Sequence, residues 1–265
     1  MVKMKVKRKF LVGLILLVMS LYSFANAVVL DPNSRHNTKL DEAHNGTPIV
    51  NISTPNNRGV SLNEFLEYNI DSRGQILNNA DNTGRSHLGG LINANPNLGP
   101  NQAAGLIVLQ VNGANKSKIE GYLEALSRKK VDVILSNENG IYFNNSGTIN
   151  IRKFTATTGK IKLKDGDYIG IDVKRGNIAI GEKGLDLTNA DYVEILSKTL
   201  EIAGNVVAKD EMKIIAGTNE VSKDGKITKN NSASPAEVAI DASALGGMYA
   251  NTVKIISTEK GAGVN

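Results

Sequence analysis

Hydrophobic positions fall into two regimes along this chain. Phe10 to Val18 forms one apolar block. Beyond residue 27 they come in short runs, mostly alternating with period two and rich in Ile and Val, with Gly, Asn or Asp in the gaps. Period two at β-branched positions predicts strands. The runs are Leu106 to Val111, Val131 to Leu135, Thr148 to Ile151, Lys160 to Lys164, Asn177 to Ile180, Tyr192 to Leu196, Leu200 to Ile202, Met212 to Ile215, Val238 to Ile240 and Val253 to Ile256. Upstream, Asp31 to Pro48 reads as an irregular polar lead-in. Pro48 to Ile52 is a short strand, broken at Thr54-Pro55-Asn56-Asn57, and Val60 to Ile70 carries Leu62, Phe65, Leu66 and Ile70 between polar residues. Ser117 to Lys130 spaces Ile119, Leu123 and Leu126 as a helix would, but Gly121 and the short register favour strand.

The spacing selects an architecture. Tyr192 to Leu196 and Met212 to Ala216 lie about 20 residues apart, and the next similar strand is expected near Glu237; short strands repeating at such a period indicate a solenoid. In a parallel β-helix each coil stacks its strand on the previous one and buries a column of aliphatic side chains, with Asn ladders available at the corners. A β-sandwich also yields many short strands. The repeated Ile-x-Ile-x unit with irregular loops, rather than hairpins closed by Asn-Gly, favours the β-helix.

The apolar block changes the reading of the charge. Lys3, Lys5, Lys7, Arg8 and Lys9 precede it, and Ala25-Asn26-Ala27 follows as a small-x-small site. The block is shorter than a membrane span of about 20 residues. Residues 1–27 therefore read as a secretory signal peptide, with cleavage expected after Ala27. The chain has 31 Lys and Arg against 26 Asp and Glu. Five of the cations and none of the acids lie in the leader, leaving 26 against 26. No basic footprint for nucleic acid survives, nor a polybasic membrane patch. The mature chain contains no Cys, although export would permit disulfides. Either its core is large enough without them, or cross-links would obstruct passage unfolded through a second membrane.

Candidate chemistry is sparse. His36, His44 and His87 lie far apart in polar loops without metal-ligand spacing. Asp165-Gly166-Asp167 resembles the acidic clusters of polysaccharide-degrading β-helices, but Lys-Asp-Gly-Asp between two strands is an ordinary turn sequence. Neither a Ser nucleophile elbow nor a phosphate-binding glycine pattern occurs. An enzyme is unsupported and no cofactor is implied. What stands out instead is two turns, Asn93-Ala94-Asn95-Pro96-Asn97-Leu98 and Asn137-Glu138-Asn139-Gly140-Ile141. Both suggest an ordered surface that another molecule reads.

These residues resemble a known family. Val50-Asn51-Ile52-Ser53-Thr54-Pro55-Asn56, Gly59-Val60-Ser61, Phe65 and Tyr68-Asn69-Ile70 are similar to the opening of two-partner-secretion domains, found in filamentous-haemagglutinin-like adhesins and contact-dependent-inhibition exoproteins. Leu77-Asn78-Asn79 and Gly89-Gly90-Leu91-Ile92 continue the likeness. Asn95-Pro96-Asn97-Leu98 equals the family's first signature. Asn137-Glu138-Asn139-Gly140-Ile141 resembles its second, with Glu138 where the family has Pro. Leu245 to Asn251 and Thr258 to Val264 also match, so the resemblance spans nearly the whole mature chain.

The resemblance implies an all-β protein over residues 28–265: a right-handed parallel β-helix with an N-terminal β cap and small extra-helical antiparallel strands. It implies no enzyme and no cofactor, but the monomeric secretion domain of a large exoprotein of a Gram-negative bacterium. POTRA domains of a TpsB-type outer-membrane barrel would capture the chain in the periplasm. Export unfolded would deliver it to the cell surface or medium, and downstream regions would meet host or bacterial receptors. Pro48 to Ile70 would add a strand to a POTRA sheet edge, while Asn95, Asn97, Asn137 and Asn139 shape turns used in recognition or in folding alone. A free-standing adhesive or carbohydrate-binding solenoid is the competing function, and a polysaccharide-degrading β-helix the third. Such exoproteins run on into long repeats, so a reading frame continuing past Asn265 is the most informative single observation.

Overall fold

Strands stacked in parallel need side chains that pack on both neighbours, and this sequence supplies them in columns. A computed structural model describes residues 28–229, 239–241 and 246–258; the signal peptide and its cleavage site lie outside the described residues. Strands are numbered β1 to β27 in chain order. The first sheet runs β1 (Val29–Leu30), β4 (Val60–Glu67), β8 (Leu106–Val111), β11 (Val131–Asn137), β14 (Ile151–Thr157), β19 (Tyr192–Ser197), β22 (Glu211–Ala216) and β27 (Thr252–Ser257). The second runs β2 (Lys39–Glu42), β3 (Pro48–Asn51), β5 (Gln75–Asn78), β10 (Tyr122–Leu126), β13 (Ser146–Ile149), β18 (Leu185–Leu187), β21 (Val206–Ala208) and β26 (Met248–Tyr249). The third holds β9 (Ser117–Ile119), β12 (Ile141–Phe143), β17 (Asn177–Ile180), β20 (Thr199–Ile202) and β25 (Ile240–Asp241). From β8 onward each coil visits the first, third and second sheets in turn, which is a three-faced parallel β-helix.

Register makes the columns. Ile107 aligns with Val133, then Phe154, Val193 and Met212; Leu109 aligns with Leu135, Ala156, Ile195 and Ile214. All ten are buried inside the solenoid. Burying each such side chain contributes about 1.5–3 kcal/mol relative to leaving it exposed.

The first sheet is covered outside as well. Hairpin β15 (Lys160–Lys164)–β16 (Asp167–Val173) and strands β23 (Asn219–Ser222) and β24 (Ile227–Lys229) leave the coil and form one antiparallel sheet. Its Ile161, Ile171, Val173 and Val221 cover Val108, Ile134, Leu196 and Ile215 on the outer face. Both faces being buried explains why Leu106 to Val111 and Val131 to Leu135 read as continuous apolar runs. A smaller hairpin, β6 (Gly84–Ser86)–β7 (Gly90–Ile92), covers part of the second sheet's outer face, where Ile92 packs with Ile76 and Leu126.

At the N-terminal end the inward positions turn polar. Ser61 and Asn63 stand in register with Ile107 and Leu109, and both are fully buried. Asn63 Oδ1 accepts from Thr38 Oγ1 at 2.8 Å and the Ser53 amide at 2.9 Å, while its Nδ2 donates to the Val108 carbonyl at 3.2 Å. This network and the antiparallel pair β2–β3 form the cap. Lys39, Asp41 and Glu42 line its outer strand, and charge on an edge discourages pairing with another chain.

Several expectations need correction. The lead-in over Asp31 to Pro48 is not irregular throughout, because Lys39–Glu42 forms β2 of the cap. Thr148 to Ile151 is two strands, not one: Asn150 has φ of 58° and turns the corner between β13 and β14. The strand stacked on β22 is β27, beginning at Thr252 rather than near Glu237, because β23 and β24 are inserted after β22. Glu237 and Val238 lie outside the described residues. The ambiguous segment after Ser117 forms β9 and β10, as the strand reading required.

Tyr68 is fully buried against Phe65, with ring centroids 4.9 Å apart, and its hydroxyl has no protein partner. Burial pushes this phenol's pKa far above its ordinary value. A buried hydroxyl without a partner costs stability. Tyr68→Phe is therefore expected to leave the denaturation midpoint unchanged or raise stability by about 1 kcal/mol, measured by urea titration.

Candidate functional site

The two Asn-rich turns are built alike, atom for atom. In the first, the Leu98 amide donates to the Asn95 carbonyl at 3.1 Å, closing a β-turn with Pro96 at its second position. The Asn97 amide donates to Asn95 Oδ1 at 2.9 Å. In the second, the Gly140 amide donates to the Asn137 carbonyl at 3.0 Å and the Asn139 amide to Asn137 Oδ1 at 2.9 Å. Asn suits this position because its short side chain can accept from the backbone two residues on.

The amide nitrogens of the same side chains reach across to other coils. Asn95 Nδ2 donates to the Asn78 carbonyl at 2.7 Å and the Ile52 carbonyl at 2.9 Å. Asn97 Nδ2 donates to the Asn37 carbonyl at 2.8 Å and the Ile52 carbonyl at 3.0 Å. In the second turn, Asn137 Nδ2 donates to the Asn115 carbonyl and Ser117 Oγ, both at 3.0 Å, and Asn139 Nδ2 to the Gly113 carbonyl at 2.6 Å. These carbonyls lie at corners, where the strand ladder has stopped and a buried acceptor needs a donor.

The turns were expected on the surface, and here the structure disagrees. Asn95 is 1% exposed and Asn137 is fully buried. Asn93 and Pro96 are exposed, while Asn97, Leu98 and Asn139 are half-buried. Ile141 is buried and begins β12. Gly140 has φ of +118°, and a Cβ there would lie 2.8 Å from the Asn177 carbonyl oxygen, so only glycine fits. The two turns occupy different coils, and among the described residues no hydrogen bond joins them.

The partners of the first turn include Ile52, Thr54 and Asn78 from the family-like segments and Asn37 from outside them. Asn37 Nδ2 donates to Thr54 Oγ1 at 2.9 Å, the Thr54 amide donates to Asn37 Oδ1 at 2.9 Å, and Thr54 Oγ1 donates to the Asn97 carbonyl at 2.8 Å. The turn thus fastens the lead-in and the β3–β4 loop to one node. Asn51 joins through Asn78, whose Nδ2 donates to Asn51 Oδ1 at 2.8 Å. Thr54 lies in the family-like opening, but the pairing of Asn37 with Thr54 is not legible in sequence, since the coil brings the two together from 17 residues apart.

Glu138 takes the place in its turn that Pro96 takes in the other. The second position of a common β-turn accepts most residues, and Pro merely pre-sets its φ. Glu138 Oε2 instead lies 3.7 Å from Arg175 Nε, an exposed contact of little energetic weight.

The remaining candidates separate. His44 and His87 are exposed, and His36 Nε2 lies 3.9 Å from Glu64 Oε2. No cluster of three or more metal-ligating side chains occurs among the described residues. Asp165 (φ 50°) and Gly166 (φ 77°) make the β15–β16 turn. Lys223 Nζ lies 2.6 Å from Asp167 Oδ2 and holds that carboxyl below its ordinary pKa. A general acid requires the opposite shift.

The geometry defines a class: a capped parallel β-helix whose asparagine turns clamp successive coils. The profile of the TPS secretion domain family matches residues 28–265, and the chain belongs to that family. It is 43% identical over 233 residues to the 16S rRNA endonuclease CdiA of Enterobacter cloacae subsp. cloacae, covering 86% of this chain and 7% of that protein. It is 42% identical over 231 residues to the tRNA nuclease CdiA of Yersinia mollaretii, covering 86% and 8%. The crystal structure of the filamentous hemagglutinin secretion domain superposes with a TM-score of 0.81 at 30% identity, over 90% of this chain and 81% of that one. The nuclease names belong to proteins of which this chain spans less than a tenth.

Two substitutions distinguish the roles within a turn. Asn95→Ala removes both cross-coil bonds of its amide and the acceptor of the Asn97 amide; the Asn78 carbonyl loses its side-chain donor while the Ile52 carbonyl keeps Asn97 Nδ2, with an expected loss of about 2–4 kcal/mol. Glu138→Pro should preserve the fold and raise stability by about 0.5–1 kcal/mol through the unfolded chain. Urea denaturation of both variants checks the contrast.

Proposed function

We infer that this chain is the secretion domain of a large exoprotein and has no catalytic role. POTRA domains of a TpsB-type outer-membrane barrel capture it in the periplasm as an unfolded chain, and it folds on emerging at the cell surface of a Gram-negative bacterium. The burial of Asn95 and Asn137 carries this reading: their polar atoms are consumed inside the fold. A partner that reads these side chains must therefore do so before folding. Strand pairing supports the same order. The strands β3 and β4 within Pro48 to Ile70 are bonded on both edges in the folded protein, by β2 and β5 and by β1 and β8. That segment can add to a POTRA sheet edge only while unfolded. Membership of the secretion-domain family and the absence of Cys agree with passage as an open chain.

The test is binding of the purified POTRA domains to two forms of the protein. Chain diluted from urea should be captured, and capture should fall as the protein folds. Equal capture of the folded protein would sink the reading. Secreted protein should begin at Val28, as N-terminal sequencing would show; retention of the leader contradicts cleavage after Ala27. Activity on acidic polysaccharides that disappears in Asp165→Ala and Asp167→Ala would overturn the non-enzymatic part.

A further inference from the structure

An open groove of about 600 Å³ lies on the outer face of the second sheet, and none of the signature-turn residues lines it. Its floor is unusual in construction. Tyr122 on β10, Gly147 on β13 and Asp186 on β18 stand side by side in register across three adjacent strands. The tyrosine ring lies over Gly147, where a Cβ would come within 2.5 Å of it, and its hydroxyl donates to Asp186 Oδ2 at 3.0 Å. Glycine beneath and a carboxylate at the tip hold the ring flat on the sheet, half-exposed.

The charges around this ring divide by whether they are already engaged. Asp186 also accepts from the Thr188 amide at 3.0 Å and its hydroxyl at 2.7 Å. Glu124 is buried and accepts from Ser86 Oγ at 2.6 Å and the amides of His87 at 2.8 Å and Leu88 at 2.9 Å. Lys130 is bound to Asp191 at 2.7 Å and to the Asn189 carbonyl at 2.8 Å. Arg85 and His87, exposed on the β6–β7 hairpin at the rim, have side chains with no hydrogen bond or ion pair among the described residues. The acids of the groove are spent on the protein, and the uncommitted groups are a guanidinium and an imidazole.

A ligand that fits must offer a flat apolar face to the ring, polar groups at its edges, and an anion toward Arg85. A sugar ring bearing a carboxylate has all three features. A fixed aromatic surface suits its C–H face, and guanidinium recognises carboxylate bidentately. We propose that this groove binds an acidic saccharide, with Tyr122 as the stacking platform and Arg85, assisted by His87, as the carboxylate-binding group. The site is independent of the transporter reading, because it forms only in the folded protein.

The test is ligand-observed NMR with calorimetry on the folded protein, using trigalacturonate, a hyaluronate tetrasaccharide and sialyllactose. At least one should bind with a dissociation constant of about 1 mM or tighter. Tyr122→Ala and Arg85→Ala should each weaken it by about tenfold while leaving the urea midpoint unchanged. The methyl ester of the bound saccharide should lose affinity similarly and be insensitive to Arg85→Ala. If either variant shifts the urea midpoint, Tyr122→Phe and Arg85→Gln replace them with the same expectation for Arg85 and retained binding for the phenyl ring. Absence of binding by all three saccharides at about 10 mM, equal binding of the ester, or binding indifferent to both substitutions overturns the proposal.

Discussion

A coiled strand stack has one recurrent difficulty: what becomes of the backbone at its corners. Along the faces, ladders between neighbouring strands pair the backbone amides and carbonyls. At a corner the chain turns away from its neighbour, and carbonyls are left buried without a donor, at a cost of about 1–3 kcal/mol each. In this protein asparagine supplies the donor. Asn95, Asn97, Asn137 and Asn139 do so at the two signature turns. Asn150 does so for the carbonyls of Ala125 at 2.8 Å and Ser127 at 2.9 Å, and Asn79 exchanges bonds with the Ala104 carbonyl at 3.0 Å and amide at 2.7 Å. Regular stacking of the aliphatic columns depends on these corners holding their register.

The outer layers follow from the same geometry. A three-faced solenoid buries the inward side of each strand and leaves the outward side to water. Where outward positions are apolar, as at Val108, Ile134, Leu196 and Ile215, the chain leaves the coil after β14 and β22 to cover them. That excursion also reaches back to the beginning of the molecule: Asn56 Nδ2 donates to the Gly166 carbonyl at 2.7 Å, across 110 residues. The sheet therefore straps late coils to the loop that opens the first one.

On the proposed export as an open chain, these contacts give folding from the N-terminal end a physical order. The first turn fastens Asn37, Ile52, Thr54 and Asn78, all upstream of it, so the node can close as soon as Asn97 is available. Later coils then add to an existing edge. A chain without disulfides can postpone all of this until it has room to fold, and nothing covalent commits it earlier.

Much of this was legible in the sequence. Period-two Ile and Val runs with Asn and Gly between them gave strands, the spacing of Tyr192 and Met212 gave the coil, and the signature residues gave the family. These are local or repetitive signals, set by residue type and order alone. The harder decisions were long-range. Asn150 reads as one more position in an alternating run, and only the stacked coil shows that it turns left-handed to cap Ala125 and Ser127. The insertion of β23 and β24 displaced the next rung to Thr252, because covering Ile215 requires chain that periodicity does not count. Sequence marked the asparagines as turn formers and could say no more, since a turn looks alike on a surface or in a corner. Which way their amides face, and that the carbonyls of Ile52 and Gly113 wait for them, is fixed by segments 17 to 60 residues distant in the chain. Tertiary structure alone turned an apparent display surface into the internal fastening of the helix.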